Sequence, residues 1–367
     1  MPGGLLHYQD DFITKRLIDY LKDFDFRIGT LESAIGDDIP FDEVKLKDEM
    51  NLIYSKNVDL VRVKEMGLNV VSIANNHVYD LGEEGLVNTI NLLDNLCIKH
   101  CGAGLNEDMA SKPAVVESNG ISIAFIACCL HEYASDWVGY VKKATKLESG
   151  IYMPTISELQ ESVRKAKKKY DYVYVLPHWG REHHDLQADK ISTFAKLIIT
   201  AGADGVIGSH PHVINPVSSY NGKPIFFSLG NFLFPDFLVN KPRPIWYPDK
   251  IDDLNKYKTV YNFPLIIDGP TISKWKKSAR IGLCAEISIE SVSVTKTDYS
   301  FVKLSEDNIL DCHTDNRLKR RIKLQGMLPS DFFGYKFIHK FSASNENILQ
   351  LCSNYIFRRI KRVLKSS

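Results

Sequence analysis

The sequence predicts a layered α/β fold with mixed sheets. Two observations carry that expectation. Short apolar, strand-like runs alternate with helical patterns through the first two-thirds of the 367 residues, and strands alternating with helices bury a sheet between helical layers. Histidines and glycine-containing turns also gather where the apolar runs end, which is where open α/β sheets bind ligands.

In chain order, a helical pattern at Phe12–Asp23 precedes the apolar run Phe26–Leu31. Helix Asp59–Met66, strand Asn69–Ala74 and helix Glu83–Asn95 follow. Lys112–Val116 and Ile121–Ala127 flank Asn119-Gly120, a pair that favours the tight turn of an antiparallel hairpin. Helix Ile156–Lys169, strand Tyr172–Leu176, helix Asp189–Thr200 and strands Gly205–Ile207 and Pro224–Phe227 complete the alternation. From Phe234 to about Lys277 the chain is rich in proline and aromatic residues, which reads as a long insertion or lid. Arg280–Ile289 and Val292–Val302 alternate apolar and polar residues on either side of Glu290-Ser291, an antiparallel hairpin. The reading expects one domain over residues 1–304, with 234–277 inserted, and a basic helical C-terminal extension over 305–367 that contains RLKRRIK and YIFRRIKRVLK.

Composition narrows the function classes. With 44% hydrophobic and 25% charged residues the chain is an ordinary globular protein. Its net charge of +1 gives no global attraction to nucleic acid, and no nucleic-acid partner is expected. Seven cysteines, an odd number with several inside apolar runs, suggest reduced thiols. The start MPGGLLHYQDDF shows no secretory signal pattern, and no apolar window is long enough to span a bilayer. The expected location is therefore cytoplasmic, with peripheral membrane contact through a basic tail helix at Tyr355–Lys365 as the alternative to packing on the body. P-loop and dinucleotide fingerprints are missing, so neither ATP-driven ligation nor redox chemistry is indicated.

Five strand exits carry polar residues suited to metal chemistry: Glu32, Asn76 with His77, His178, the pair His210 and His212, and Asn231. Imidazole suits zinc, iron or manganese, and carboxylate or amide oxygens suit harder divalent ions. A lone histidine after a strand is ordinarily a hydrogen-bonded structural residue. His210-Pro211-His212 is harder to dismiss, because alternate residues of an extended segment share a side and proline biases the residue before it towards extended backbone. The joint pattern is what points to a hydrolytic centre, where two metals can clamp the oxygens of a phosphoryl displacement.

These segments resemble the CapA family of capsule and poly-gamma-glutamate biosynthesis proteins. The resemblance is carried by Thr30-Leu31-Glu32-Ser33, Ala74-Asn75-Asn76-His77 with Asp80 and Gly82, His178-Trp179-Gly180 with Glu182, Ala201-Gly202-Ala203-Asp204 through His210-Pro211-His212-Val213, and Ser228-Leu229-Gly230-Asn231-Phe232. It implies a calcineurin-like metallophosphoesterase fold, an α/β/β/α sandwich. It also implies two divalent ions (Mn, Fe or Zn), with Glu32, Asn76, His178, His210 and His212 as ligands and His77 as transition-state stabiliser or general acid. Asp80 and Glu182 would orient His77 and His178, and Asn231 would be structural or face substrate. The expected activity is attack of a metal-activated hydroxide on a phosphoester, with a surface polymer or phosphoester as substrate and the membrane-associated capsule machinery as partner. Two alternatives remain: a non-catalytic subunit that binds polymer or a membrane synthase, and a metal-dependent gamma-glutamyl amide hydrolase or transferase.

The family also places a Gly-Asp strand ahead of Glu32, whereas this sequence begins Met1-Pro2-Gly3-Gly4. The reading expects that segment upstream of Met1. Asp10 and Asp11 are expected to cap the first helix. Thr30 and Ser209 stand where the family commonly has Asn and His. Cys128 and Cys129 are expected as buried small hydrophobes, and His131 and Glu132 are candidates to face the site.

Overall fold

The computed structural model describes residues 1–47, 51–130, 141–241, 245–251, 253–261, 269–291 and 294–326. His131, Glu132 and the tail Tyr355–Lys365 lie outside these residues.

Two sheets face each other. The smaller is parallel and three-stranded, with β1 (Ile28–Thr30), β2 (Val70–Ser72) and β3 (Lys99–Cys101) in that order. The larger has six strands: β4 (Ala114–Ser118), β5 (Ile121–Cys129), β6 (Tyr172–His178), β7 (Gly205–Ile207), β8 (Val217–Tyr220) and β9 (Lys223–Phe226). Their order is β8-β9-β7-β6-β5-β4. The inner strands run parallel, whereas β4 and β8 pair antiparallel at the two edges. The sheet is mixed because each edge is a hairpin. The β4–β5 turn falls on Asn119 and Gly120, both at positive φ (52° and 76°), as a two-residue primed turn requires.

Helices α1 (Lys15–Lys22), α2 (Glu43–Lys47), α3 (Asn57–Val63) and α4 (Gly82–Asn95) accompany the small sheet, and α5 (Ile156–Lys167) and α6 (Asp189–Thr200) the large one. Alternation along the strands explains the layering. Phe125, Ala127, Cys129, Tyr174 and Leu176 join Val70, Val71, Leu86 and Leu93 in the core between the sheets. Their neighbours Ala124, Ile126, Cys128, Val173 and Val175 pack against Leu159, Val163, Ile191 and Ile198 of α5 and α6. β6 is thus buried along its whole length, as a central parallel strand must be. The layers run α/β/β/α.

Local signals explain most boundaries. Thr155 and Glu158 form a capping box that starts α5. Thr14, not Asp10 or Asp11, caps α1 by accepting from the Leu17 amide. This corrects the sequence expectation, and the reason is register: the helix begins at Lys15, one residue after Thr14. Within 234–277, Phe237–Val239, Thr271–Lys274 and Lys258–Tyr261 form a further three-stranded sheet. β10 (Ile281–Ser291), β11 (Val294–Leu304) and β12 (Leu310–His313) form an antiparallel sheet. The basic helix α7 (Asn316–Gly326) buries Ile322 and exposes its charged residues. Cys101, Cys128 and Cys129 are buried, as expected of small hydrophobes. Among the described residues, no helix is long and apolar enough to cross a membrane.

Candidate functional site

The carboxyl ends of β1, β2, β6, β7 and β9 meet at one rim of the two sheets. Asn75 builds the first half of it. Its Oδ1 accepts from the His77 and Val78 amides at 3.0 and 2.9 Å, folding the chain back after β2. Its Nδ2 donates to the Leu31 carbonyl at 2.8 Å, which ties this turn to the exit of β1. Glu32 and Asn76 are brought together by that link.

Gly208 builds the second half. A Cβ at this position would lie 2.2 Å from the Phe227 carbonyl oxygen and 2.4 Å from Trp179 Nε1, so only glycine allows β7 to exit between β6 and β9. The chain then turns through His210 and His212 with φ of 99° and 57°. These values correct the expected extended His-Pro-His segment. Both histidines occupy the left-handed region that L residues seldom adopt, a local strain typical of functional turns. The imidazoles are adjacent, with ring centroids 4.7 Å apart for His178–His210 and 6.1 Å for His210–His212.

Glu32 lies at the centre. Its Oε1 is buried and accepts no hydrogen bond, yet His178 Nε2 is 3.5 Å away and His212 Nε2 is 3.6 Å away. His178 Nε2 also lies 2.8 Å from Asn76 Oδ1. Glu32, His178 and His210 can each bring one ligand atom within 4.8 Å of the others, and so can Glu182, His210 and His212. The surroundings orient these donors. His212 Nδ1 stands 3.0 Å from Asn231 Oδ1, and Asn231 Nδ2 donates to the Ala279 carbonyl at 3.0 Å. The second bond fixes which end of the amide faces the ring. His212 must therefore donate from Nδ1, which leaves the Nε2 lone pair towards Glu32. At His178 Nδ1 the neighbour is Ser209 Oγ, 3.0 Å away. Glu182, assigned by the resemblance to orient His178, is exposed and groups with His210 and His212.

A buried carboxylate oxygen without a hydrogen bond is costly unless a cation meets it. The carboxylate, amide and imidazole donors around it form a set suited to a divalent ion. The residues present fit such a group.

His77 stands beside this cluster. Its Nδ1 lies 2.8 Å from Asp80 Oδ2, and its side chain keeps 9% exposure while that of Asp80 has none. Asp80 meets the site through His77 and, by way of the Lys45 ammonium, through the Asn76 carbonyl. An aromatic wall closes one side: Trp275 and Phe234 lie 5.1 and 5.3 Å from the His212 ring between centroids. His183, at φ 60°, lies 5.8 Å from Trp275. Burial, reinforced by His212 and Lys276, pushes its pKa down to about 3.

The family model described as "Bacterial capsule synthesis protein PGA_cap" matches residues 4–236. The chain belongs to this family. All the site residues from Glu32 to Asn231 fall inside the PGA_cap match, while Trp275 and Ala279 lie beyond it. Similar proteins include the capsule biosynthesis protein CapA of Bacillus anthracis, 31% identical over 232 residues, covering 62% of this chain and 54% of that one. The PGA biosynthesis protein CapA of Bacillus subtilis is 35% identical over 187 residues, covering 48% and 46%. The chain spans about half the length of these curated relatives. Among solved structures, a hypothetical protein from Thermus thermophilus has a TM-score of 0.43 and 15% identity, covering 79% of this chain and 96% of its own. The segments that carry the CapA resemblance contain Glu32, His178, His210 and His212. They do not include the Trp275–Phe234 wall or Lys45 beneath Asp80, and they gave no sign that Ser209 stands beside His178, because each comes from packing between distant segments.

Proposed function

We propose that this PGA_cap protein is a metal-dependent hydrolase of phosphoesterase type acting in capsule or poly-gamma-glutamate production. The observation that carries the reading is the orphaned Glu32 Oε1, buried between His178 and His212. Glu32, Asn76, His178, His210 and His212 would hold two divalent ions. Once bound, such ions supply Lewis acidity and a water of lowered pKa.

The chain supplies the rest. Asn231 and Ser209 hold the His212 and His178 rings in place. Asp80 holds His77 Nδ1, so proton exchange with the leaving group falls to His77 Nε2. Trp275 and Phe234 shield the His212 side from water. A surface polymer bearing phosphoester groups is the proposed substrate, and the membrane-bound capsule machinery the proposed partner.

Elemental analysis of purified protein, beside hydrolysis of a generic phosphodiester with added manganese, tests this. Wild type should carry metal and turn the ester over, and His212→Ala should lose both. Metal-free wild type with background hydrolysis equal to that of His212→Ala refutes the reading. Bound metal without phosphodiester turnover moves it to gamma-glutamyl amide chemistry or to a binding subunit.

A further inference from the structure

The near-neutral total charge hides a strong asymmetry. Residues 316–367 hold 12 lysines and arginines against 2 acidic residues, whereas residues 1–315 hold 34 against 43. Helix α7 is where the described residues display this charge: it carries five basic residues and no acid. Its inner face is pinned to the body. Ile322 is buried with Phe226, Leu283 and Phe301, and Leu318 packs against them. Ser218 Oγ donates to the Gly326 carbonyl at 3.1 Å. Two of the cations turn back to acids of the body, with Lys319 Nζ 3.4 Å from Asp298 Oδ1 and Arg321 3.9 Å from Asp185 Oδ2. Arg317, Arg320, Lys323 and Leu324 are exposed. They fall at three-, four- and seven-residue spacings, so they share one outward stripe. Among the described residues, the three cations of this stripe form no ion pair.

We propose that the outward face of α7 docks the protein on an anionic lipid bilayer. Each lysine or arginine held near such a surface multiplies partitioning about fivefold, and three of them here have no acid of the body to compete for them. Leu324 separates a bilayer from a dissolved polyanion. It is 43% exposed between cations, where it gains by entering the headgroup region and gains nothing from an acidic polymer in solution. The rest of the chain adds direction: an anionic surface attracts the α7 end and repels the acidic remainder, so the molecule meets the bilayer in one orientation. Because the inner face of α7 is packed on the body, the helix docks in place rather than lifting away. The Arg321–Asp185 contact joins it to the loop after β6 that carries His183, so docking fixes how the rim of the site faces the lipid. The docking itself does not depend on the phosphoesterase reading.

Co-sedimentation of the full chain with lipid vesicles tests this. In about 0.1 M salt, wild type should bind vesicles of equal parts phosphatidylglycerol and phosphatidylcholine and ignore pure phosphatidylcholine. It should release at about 1 M salt, where the screening length falls to about 3 Å. Arg317→Gln, Arg320→Gln and Lys323→Gln combined should lower the partition coefficient roughly 100-fold, with an unchanged circular dichroism spectrum because all three side chains are exposed. Lys165→Gln, Lys168→Gln and Lys169→Gln combined remove the same charge from exposed positions around the end of α5 and should leave binding as in wild type. Leu324→Ser should weaken vesicle binding roughly tenfold. Binding that survives the α7 triple substitution, falls equally in the α5 triple substitution or is untouched by Leu324→Ser overturns the proposal. So does a wild type that binds no anionic vesicles, whether or not it binds soluble polyglutamate.

Discussion

Replacing Glu32 by glutamine should separate stability from metal binding, with opposite signs. Glutamine keeps the shape, removes the buried charge and adds an amide donor. In the metal-free protein that donor can reach His212 Nε2, now 3.6 Å from Oε1 and left without a proton because Asn231 takes the one on Nδ1. A net gain of about 1 kcal/mol is the ordinary value of such a bond. The metal-free variant should therefore melt at or slightly above wild type. With metal the order reverses. A ligand at about 100 times its Kd stabilises by roughly 2.7 kcal/mol, and each kcal/mol moves the Tm of a large domain by about 2–4 °C. Wild type should thus gain roughly 5–10 °C with saturating manganese, and Glu32→Gln should gain almost nothing. Differential scanning calorimetry in chelator and in manganese measures both. A variant that keeps the wild-type metal response, or a metal-free variant that melts well below wild type, refutes the reasoning about Oε1.

Asn231→Ala removes the acceptor at His212 Nδ1 and the donor to Ala279; manganese affinity by calorimetry should fall roughly 10–100-fold, and unchanged affinity contradicts the assigned ring orientation. His183 has a folded pKa of about 3 against an ordinary value of 6.5. The unfolded chain therefore takes its proton first. The stability His183 contributes is complete above about pH 6.5 and is lost as pH falls towards 3, at up to about 1.4 kcal/mol per pH unit. Urea midpoints between pH 7 and pH 4 should fall less steeply for His183→Asn than for wild type; parallel profiles contradict it. Arg280→Met strands Asp236, which is 1% exposed and paired with the Arg280 guanidinium. Equilibrium unfolding should show a loss of about 3–5 kcal/mol, and a loss below 1 kcal/mol would show that the pair is not needed.

Much of the fold was legible because local rules and the tertiary structure agree. The alternation in Ile121–Cys129 serves two buried faces, Thr155 and Glu158 announce α5, and Asn119-Gly120 announces its hairpin. Helix α2 was silent, since five residues carry too little periodicity to register. The proline-rich stretch after Phe234 read as irregular, yet it pairs into a sheet whose strands are too short to alternate visibly. At the site, residue types at strand exits singled out the candidate donors, and the structure places Glu32, Asn76, His178, His210 and His212 close together. Geometry was less legible: the left-handed turns at His210 and His212 arise from the tight β7 exit, which the local preference of the residue before proline does not reveal. Lys45 could not be found from spacing, because its pairing with Asp80 spans 35 residues.

The central claim is that Glu32 and the imidazoles of His178, His210 and His212 form one cation pocket. Anomalous diffraction at the manganese edge from crystals grown with manganese tests it most directly. A peak about 2.0–2.3 Å from Glu32 and from at least two of those imidazole nitrogens is the predicted result. No peak between them, or peaks confined to other parts of the molecule, would contradict it.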